Sequence, residues 1–190
     1  AGILASPDNR ENNGGIWNAG DTLQTAIGQS DNLFTPLQLV NYCSTIANGG
    51  TRYELHFVKS IISSATGGVT DNSKNIAETV GLSKTTLNTV HQGMRLVATS
   101  GGPYLIFGNM KTKVACKTGT SEVTVNGVKR NNGFLITYAP YEHPEIAVSS
   151  VVELAGSGSE TAEMTADIIN YWYQNNTDAK TNQKVGTLLP

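Results

Sequence analysis

The sequence predicts an α+β fold, an antiparallel sheet of about three strands with helices packed on it. Two observations carry this. Apolar residues recur at helical spacing in two segments before residue 100 and again after residue 156, whereas between residues 111 and 154 the period drops to two. The joins inside that second stretch are short turns, and short turns connect antiparallel neighbours.

Residues 1–34 are rich in Gly, Asn and Asp and read as loops with a short ordered patch near Trp17. Then comes TPLQLVNYCSTIANGG. Thr35 is a natural N-cap and Pro36 suits the first helical position. Leu39, Cys43, Ile46 and Ala47 fall on one face and Gly49-Gly50 stops the run, so the spacing predicts a helix over 35–48. Residues 51–62 read as extended chain and 63–76 as a polar loop. A second helix follows Ser83 as N-cap, with Leu87, Val90, Met94 and Val97 at helical spacing, and runs to about Ala98 before Gly101-Gly102-Pro103.

The period then changes. Residues 111–120 read as a strand ending in a turn at Lys117-Thr118-Gly119-Thr120. Asn126-Gly127 is a strong hairpin signal, and GFLITYA (133–139) makes the next strand. PYEHPE turns into IAVSSVVEL, where Ile146, Val148, Ser150, Val152 and Leu154 share one face. AGSGSE opens a third helix, with Ser157 and Glu160 at capping-box spacing and Ala162, Ile169 and Trp172 or Tyr173 on its apolar side. From Thr177 the sequence is a polar tail. A three-stranded meander leaves both outer edges unpaired, which points to missing strands.

Composition narrows the function. The chain of 190 residues suits one domain or a large piece of one, and its start at Ala1-Gly2-Ile3, with no Met, fits an origin inside a longer product. A formal net charge of −2 with no basic stripe argues against nucleic acid as a partner. No apolar run in these residues reaches membrane-spanning length, and none of them reads as a signal peptide. Cys43 and Cys116 lack metal-ligand spacing and read as buried thiols. His56, His91 and His143 are scattered and receive no role. No metal or cofactor is expected.

Lys117-Thr118-Gly119-Thr120 is the stretch with chemistry in it. Lys117 supplies a cation beside a strand. Gly119 lets a ligand lie close to the backbone. The hydroxyls of Thr118 and Thr120 can hydrogen-bond a carboxylate, and the Thr120 N–H can serve as one oxyanion donor. Together they can hold the C-terminal carboxylate of a peptide beside the strand with its last carbonyl in the oxyanion hole. Ser121 and Glu122, just beyond, read as turn polarity.

K-T-G belongs with S-x-x-K and S-D-N in penicillin-binding proteins and β-lactamases. The stretch GDTLQTAIGQSDNLFTPLQLV (20–40) resembles the G-D-T…I-G-Q-x(5)-T-P-L-Q segment of class B penicillin-binding transpeptidases. Ile46-Ala47-Asn48-Gly49-Gly50 and Gly156-Ser157-Gly158-Ser159 resemble that family too, so the likeness covers about residues 17–173. It is nearest to the elongation- or sporulation-type enzymes of Gram-positive bacteria. The resemblance implies a penicillin-binding, serine β-lactamase-like domain with a five-stranded antiparallel sheet. It implies a serine that attacks a D-Ala-D-Ala stem peptide of peptidoglycan, releases D-Ala and passes the acyl group to a neighbouring amine. It implies β-lactams as mimics of that peptide, and a site outside the cytoplasmic membrane. Lys117 and Thr120 would then be catalytic, and Thr118, Gly119 and Thr120 would bind substrate.

The sequence departs from that pattern in one respect. No serine has Lys three residues on, and Thr181-Lys184 has the spacing but lies in the tail. Ser30-Asp31-Asn32 spells S-D-N inside the I-G-Q…T-P-L-Q segment and reads as coincidence; Ser73-Lys74-Asn75 lies too close to Lys117. Both true motifs are expected before Ala1. Residues 1–176 are therefore expected to be the C-terminal half of a transpeptidase domain, followed by a polar tail, 177–190. That half would be inactive alone, completed by an N-terminal part of the same protein, and prone to dimers or swapped assembly through its open sheet edge. The alternatives are a non-catalytic module that binds D-Ala-D-Ala or β-lactams, and half of a serine β-lactamase or D,D-carboxypeptidase.

Overall fold

Two short helices open the chain where the sequence suggested loops. In the computed structural model, which describes residues 2–72 and 74–182, these are α1 (Pro7–Asn12) and α2 (Ala19–Ala26). Ser6 Oγ accepts from Asn9 N at 3.1 Å to start α1, and Asn18 N donates to Asp21 Oδ2 at 2.8 Å at the head of α2. Neither helix buries a residue: α1 has no apolar side chain beyond Pro7, and the short apolar stripe of α2, Ala19, Leu23 and Ala26 with Ile27, stays exposed.

The next helix, α3 (Pro36–Ala47), matches its sequence signals. Gln38 N donates to Thr35 Oγ1 at 3.2 Å and Thr35 N to Gln38 Oε1 at 2.9 Å, a complete capping box. Cys43, Ile46 and Ala47 are buried. Beyond it the chain makes two small ribbons. β1 (Thr51–Tyr53) pairs with β4 (Ile76–Thr79), and β2 (Ser60–Ile62) pairs with β3 (Val69–Asp71). The expected polar loop at 63–76 thus contains β3; its residues are all exposed, which hides any alternation. Helix α4 (Lys84–Ser100) starts at Ser83, whose Oγ accepts from Thr86 N at 3.0 Å, and is followed by the single turn α5 (Tyr104–Phe107).

The sheet is the predicted meander, β5 (Ala115–Val125), β6 (Val128–Ala139) and β7 (Ile146–Val152), in the order β5-β6-β7. Asn126 and Gly127 stand at φ 51° and 76°, the two left-handed positions of a type I′ turn between β5 and β6. A 3₁₀ turn, Gly158–Thr161, then leads into α6 (Ala162–Asn182). The expected capping box is not formed: the Ser157 side chain caps nothing, and Glu160 N donates to the Ser157 carbonyl instead. The reason lies in the tighter winding, which brings residues three apart together through the backbone. The backbone of α6 continues through Thr177, where the polar tail was expected; Ser73, Lys184 and the rest of the tail, 183–190, lie outside the described residues.

Both faces of the sheet are covered near its centre. Cys116, Leu135 and Val148 pack on Ala162, Ala166 and Ile169 of α6, with Ala98 and Phe107 closing the side. On the opposite face Ala115 and Tyr138 meet Cys43, Ile46 and Ala47 of α3 and Met94 of α4. A strand start buried on both faces explains the unbroken apolar run before Lys117.

Candidate active site

Lys117–Thr120 does not form a turn. It occupies the third to sixth positions of the 11-residue β5 and pairs across with Ile136, Leu135, Phe134 and Gly133 of β6. What ends at Lys117 is burial and not the strand: Ala115 and Cys116 are buried while Lys117 is exposed. The apolar run stops there, but hydrogen bonding carries the strand on to Val125. Alternation puts Lys117 and Gly119 on the Ala115 face and Thr118 and Thr120 on the Cys116 face.

The turn fixes where the backbone groups point. A two-residue turn makes Val125 and Val128 a hydrogen-bonded pair, and such pairs recur at every second residue. Lys117, Gly119 and Ser121 therefore bond to β6. Thr118 and Thr120 turn their N–H and C=O groups to the open edge of the sheet. Two contacts agree with this. The Thr120 carbonyl accepts from Gln29 Nε2 at 3.0 Å, and the Lys117 ammonium curls round the edge to donate to the Thr118 carbonyl. The Thr120 N–H stays on that same edge.

Behind the strand lies the 3₁₀ turn. Gly158 N donates to Thr120 Oγ1 at 3.4 Å. The approach is backbone to backbone: a Cβ at Gly158 would meet the Phe134 and Gly119 carbonyl oxygens at 2.3 and 2.5 Å. The Gly-Ser-Gly-Ser segment is thus the rear support of Gly119-Thr120.

Gln29 is brought to the edge by the end of α2. Gly28 N donates to Thr25 O and Gln29 N to Gln24 O, with Gly28 at φ 83°; this is a Schellman cap. The next residue, Ser30, is also left-handed, at φ 65°. Arg10 holds this loop. Its Nε donates to Asp31 at 2.6 Å, its Nη1 to Asp21 at 3.1 Å and its Nη2 to Ser30 Oγ at 3.1 Å, and its guanidinium lies over the Trp17 ring. The Asp31 hydrogen bond raises the Arg10 pKa, and the Asn18 N–H, with Arg10 second, lowers that of Asp21. A cleft of about 540 Å³ beside Arg10, Ser30 and Asp31 adjoins this loop and not β5.

The remaining candidates resolve simply. Cys43 and Cys116 are free and buried, and burial pushes each thiol up to about 12, so neither is a nucleophile. His91 Nε2 contacts the Ile46 carbonyl at 2.8 Å and His56 Nδ1 that of Val58 at 2.9 Å. Glu122 pairs with Lys129 across the hairpin at 3.1 Å. Among the described residues no cluster of His, Cys, Asp or Glu could hold a metal, and no helix is long and apolar enough to cross a membrane. Sequence reasoning missed Gln29 and Gly158 as neighbours of Thr120. The only signals were their places in the I-G-Q and G-S-G-S stretches, which name no contact.

A family model described as the penicillin-binding protein transpeptidase domain matches residues 4–170. The chain belongs to that family. Penicillin-binding protein 2A of Bacillus subtilis is 36% identical over 146 residues, covering 70% of this chain and 20% of the relative. Peptidoglycan D,D-transpeptidase MrdA of Haemophilus influenzae is 26% identical over 178 residues, covering 84% of this chain and 26% of the relative. The solved penicillin-binding protein PBP2 of Helicobacter pylori superposes with a TM-score of 0.75 at 29% identity, covering 92% of this chain and 31% of that one. The chain thus spans about a fifth to a quarter of the length of these curated relatives. Its helices and antiparallel sheet are a segment of the penicillin-binding transpeptidase fold.

Proposed function

We propose that this chain is the part of a peptidoglycan D,D-transpeptidase that carries one wall of the catalytic cleft and binds the D-Ala-D-Ala end of a stem peptide, or a β-lactam in its place. The observation that carries the reading is the edge of β5, where the Thr118 and Thr120 N–H groups face outward beside the Lys117 cation, on the side where Lys117 and Gln29 reach the Thr118 and Thr120 carbonyls. An extended peptide pairs with such an edge as an added strand. Its terminal carboxylate lies against the Thr118 and Thr120 hydroxyls and Lys117, and its penultimate carbonyl accepts from the Thr120 N–H. That donor gains strength as the carbonyl oxygen becomes an oxyanion, which lowers the barrier to attack.

The attacking group is a serine outside these residues, in an S-x-x-K motif of an N-terminal part of the same protein, with S-x-N beside it. The serine displaces D-Ala, and the acyl group then passes to the amine of a neighbouring stem. The reading places this chemistry on the outer face of the cytoplasmic membrane. Exposed Ile16, Leu23 and Ile27 near the start of the chain, each more than 70% accessible, fit an N-terminal part packed against them.

The test is penicillin acylation of the complete protein. Lys117→Ala and Thr120→Val are expected to slow it by about two to three orders of magnitude, and the chain alone is expected to give no covalent adduct by mass spectrometry. Unchanged acylation in both variants, or an adduct on the chain alone, defeats the reading. The alternative is a non-catalytic module that binds D-Ala-D-Ala or β-lactams. Saturable, reversible β-lactam binding by the chain alone would select it.

A further inference from the structure

Among the described residues, Gln29 reaches from outside the sheet to the open edge of β5 and donates to the Thr120 carbonyl. Three features show that it is presented there and does not merely rest there. The Schellman cap of α2 fixes the backbone at Gly28-Gln29. Asn32 Nδ2 donates to the Gln29 carbonyl at 3.0 Å, while Asn32 Oδ1 accepts from Ala5 N at 3.0 Å. Arg10 holds Ser30 and Asp31, the two residues between, and is itself only 23% exposed. Ser30-Asp31-Asn32 is therefore a structural clasp in which every side chain is engaged.

We propose that Gln29 is a positioning residue for Thr120, presented to the strand edge by the clasp of Arg10, Ser30, Asp31 and Asn32. This rests on the transpeptidase reading of the same edge. Thr120 is gripped twice. Gln29 holds its carbonyl from the front, and Gly158 N–H holds its hydroxyl from behind. The carbonyl and the N–H of one strand residue point the same way, so fixing the first fixes the direction of the second. A donor that does not reorient during reaction stabilises developing charge better than a mobile one. Gln29 therefore acts on the acylation step and less on initial binding.

The experiment uses the complete protein and penicillin, with stopped-flow kinetics that separate the dissociation constant of the noncovalent complex from the acylation rate constant. Gln29→Ala and Gln29→Glu are expected to lower the rate constant about tenfold, the scale of one hydrogen bond. The dissociation constant and the thermal midpoint should change little. Arg10→Met, or the milder Ser30→Ala, is expected to slow acylation when Gln29 is present and to add nothing in the Gln29→Ala background. Wild-type acylation in Gln29→Ala, or an Arg10 effect of equal size in both backgrounds, overturns the proposal. Lys117→Ala separates the two levels. If it acylates normally, the transpeptidase reading falls and this proposal with it. If it is slow while Gln29→Ala is normal, only the positioning role falls.

Discussion

A Cβ added at Gly158 would stand 2.3 Å from one backbone oxygen and 2.5 Å from another, and backbone cannot swing aside as a side-chain tip can. At the scale of the residue, the site depends on a hydrogen atom. Gly158→Ala is expected to push the 3₁₀ turn off β5, cost about 1–3 kcal/mol of stability as other overpacked sites do, and slow acylation by releasing Thr120. Denaturant unfolding with an unchanged midpoint would show that the turn yields freely. Lys117–Thr120 stood out in the sequence because the chemistry proposed for it draws on lysine and threonine side chains. The partners of Thr120 were not legible, because Gln29 lies 91 positions away and donates to a backbone atom that carries no sequence signature.

The element most dependent on charge is the pair α1 and α2. Neither buries a side chain, so hydrogen bonds and the Arg10 cluster replace a core. Asp21 has its pKa lowered by the Asn18 N–H and by Arg10, with Asp31 sharing the same guanidinium. A lowered carboxylate pKa contributes stability above its ordinary value near 4 and loses it as pH falls through the folded value. Protection of the α2 amides, taken relative to their intrinsic exchange rates, is therefore expected to fall below about pH 4, and Asp21→Asn to flatten that acid limb while weakening the helix at neutral pH. Acid-insensitive protection in the wild-type chain would remove the cluster from its supporting role. These helices escaped the sequence reading because α1 has no apolar period and the short stripe of α2, Ala19, Leu23, Ala26 and Ile27, is set among Gly, Asn and Asp.

For the whole molecule, the described sheet has three strands and two unpaired edges, on β5 and β7. The β5 edge is partly covered by Gln29. Unpaired ladders recruit further strands, so the isolated chain is expected to self-associate with rising concentration in sedimentation velocity, and the complete protein is not. A strictly monomeric chain at high concentration would show that its edges are protected within the chain itself.

By itself the sequence determined the α+β class, the three buried-face helices, the meander with its Asn126-Gly127 turn and the Lys117–Thr120 motif. Each of these is written locally, in the period of apolar residues, in caps such as Thr35 and in turn chemistry. Tertiary structure decided the rest: that Lys117–Thr120 lies within a strand, that Ser157 caps no helix, and that Gln29 and Gly158 hold Thr120 from two sides. These depend on pairing with β6 and on backbone contacts between distant segments, and a linear pattern of side chains does not encode where a carbonyl points.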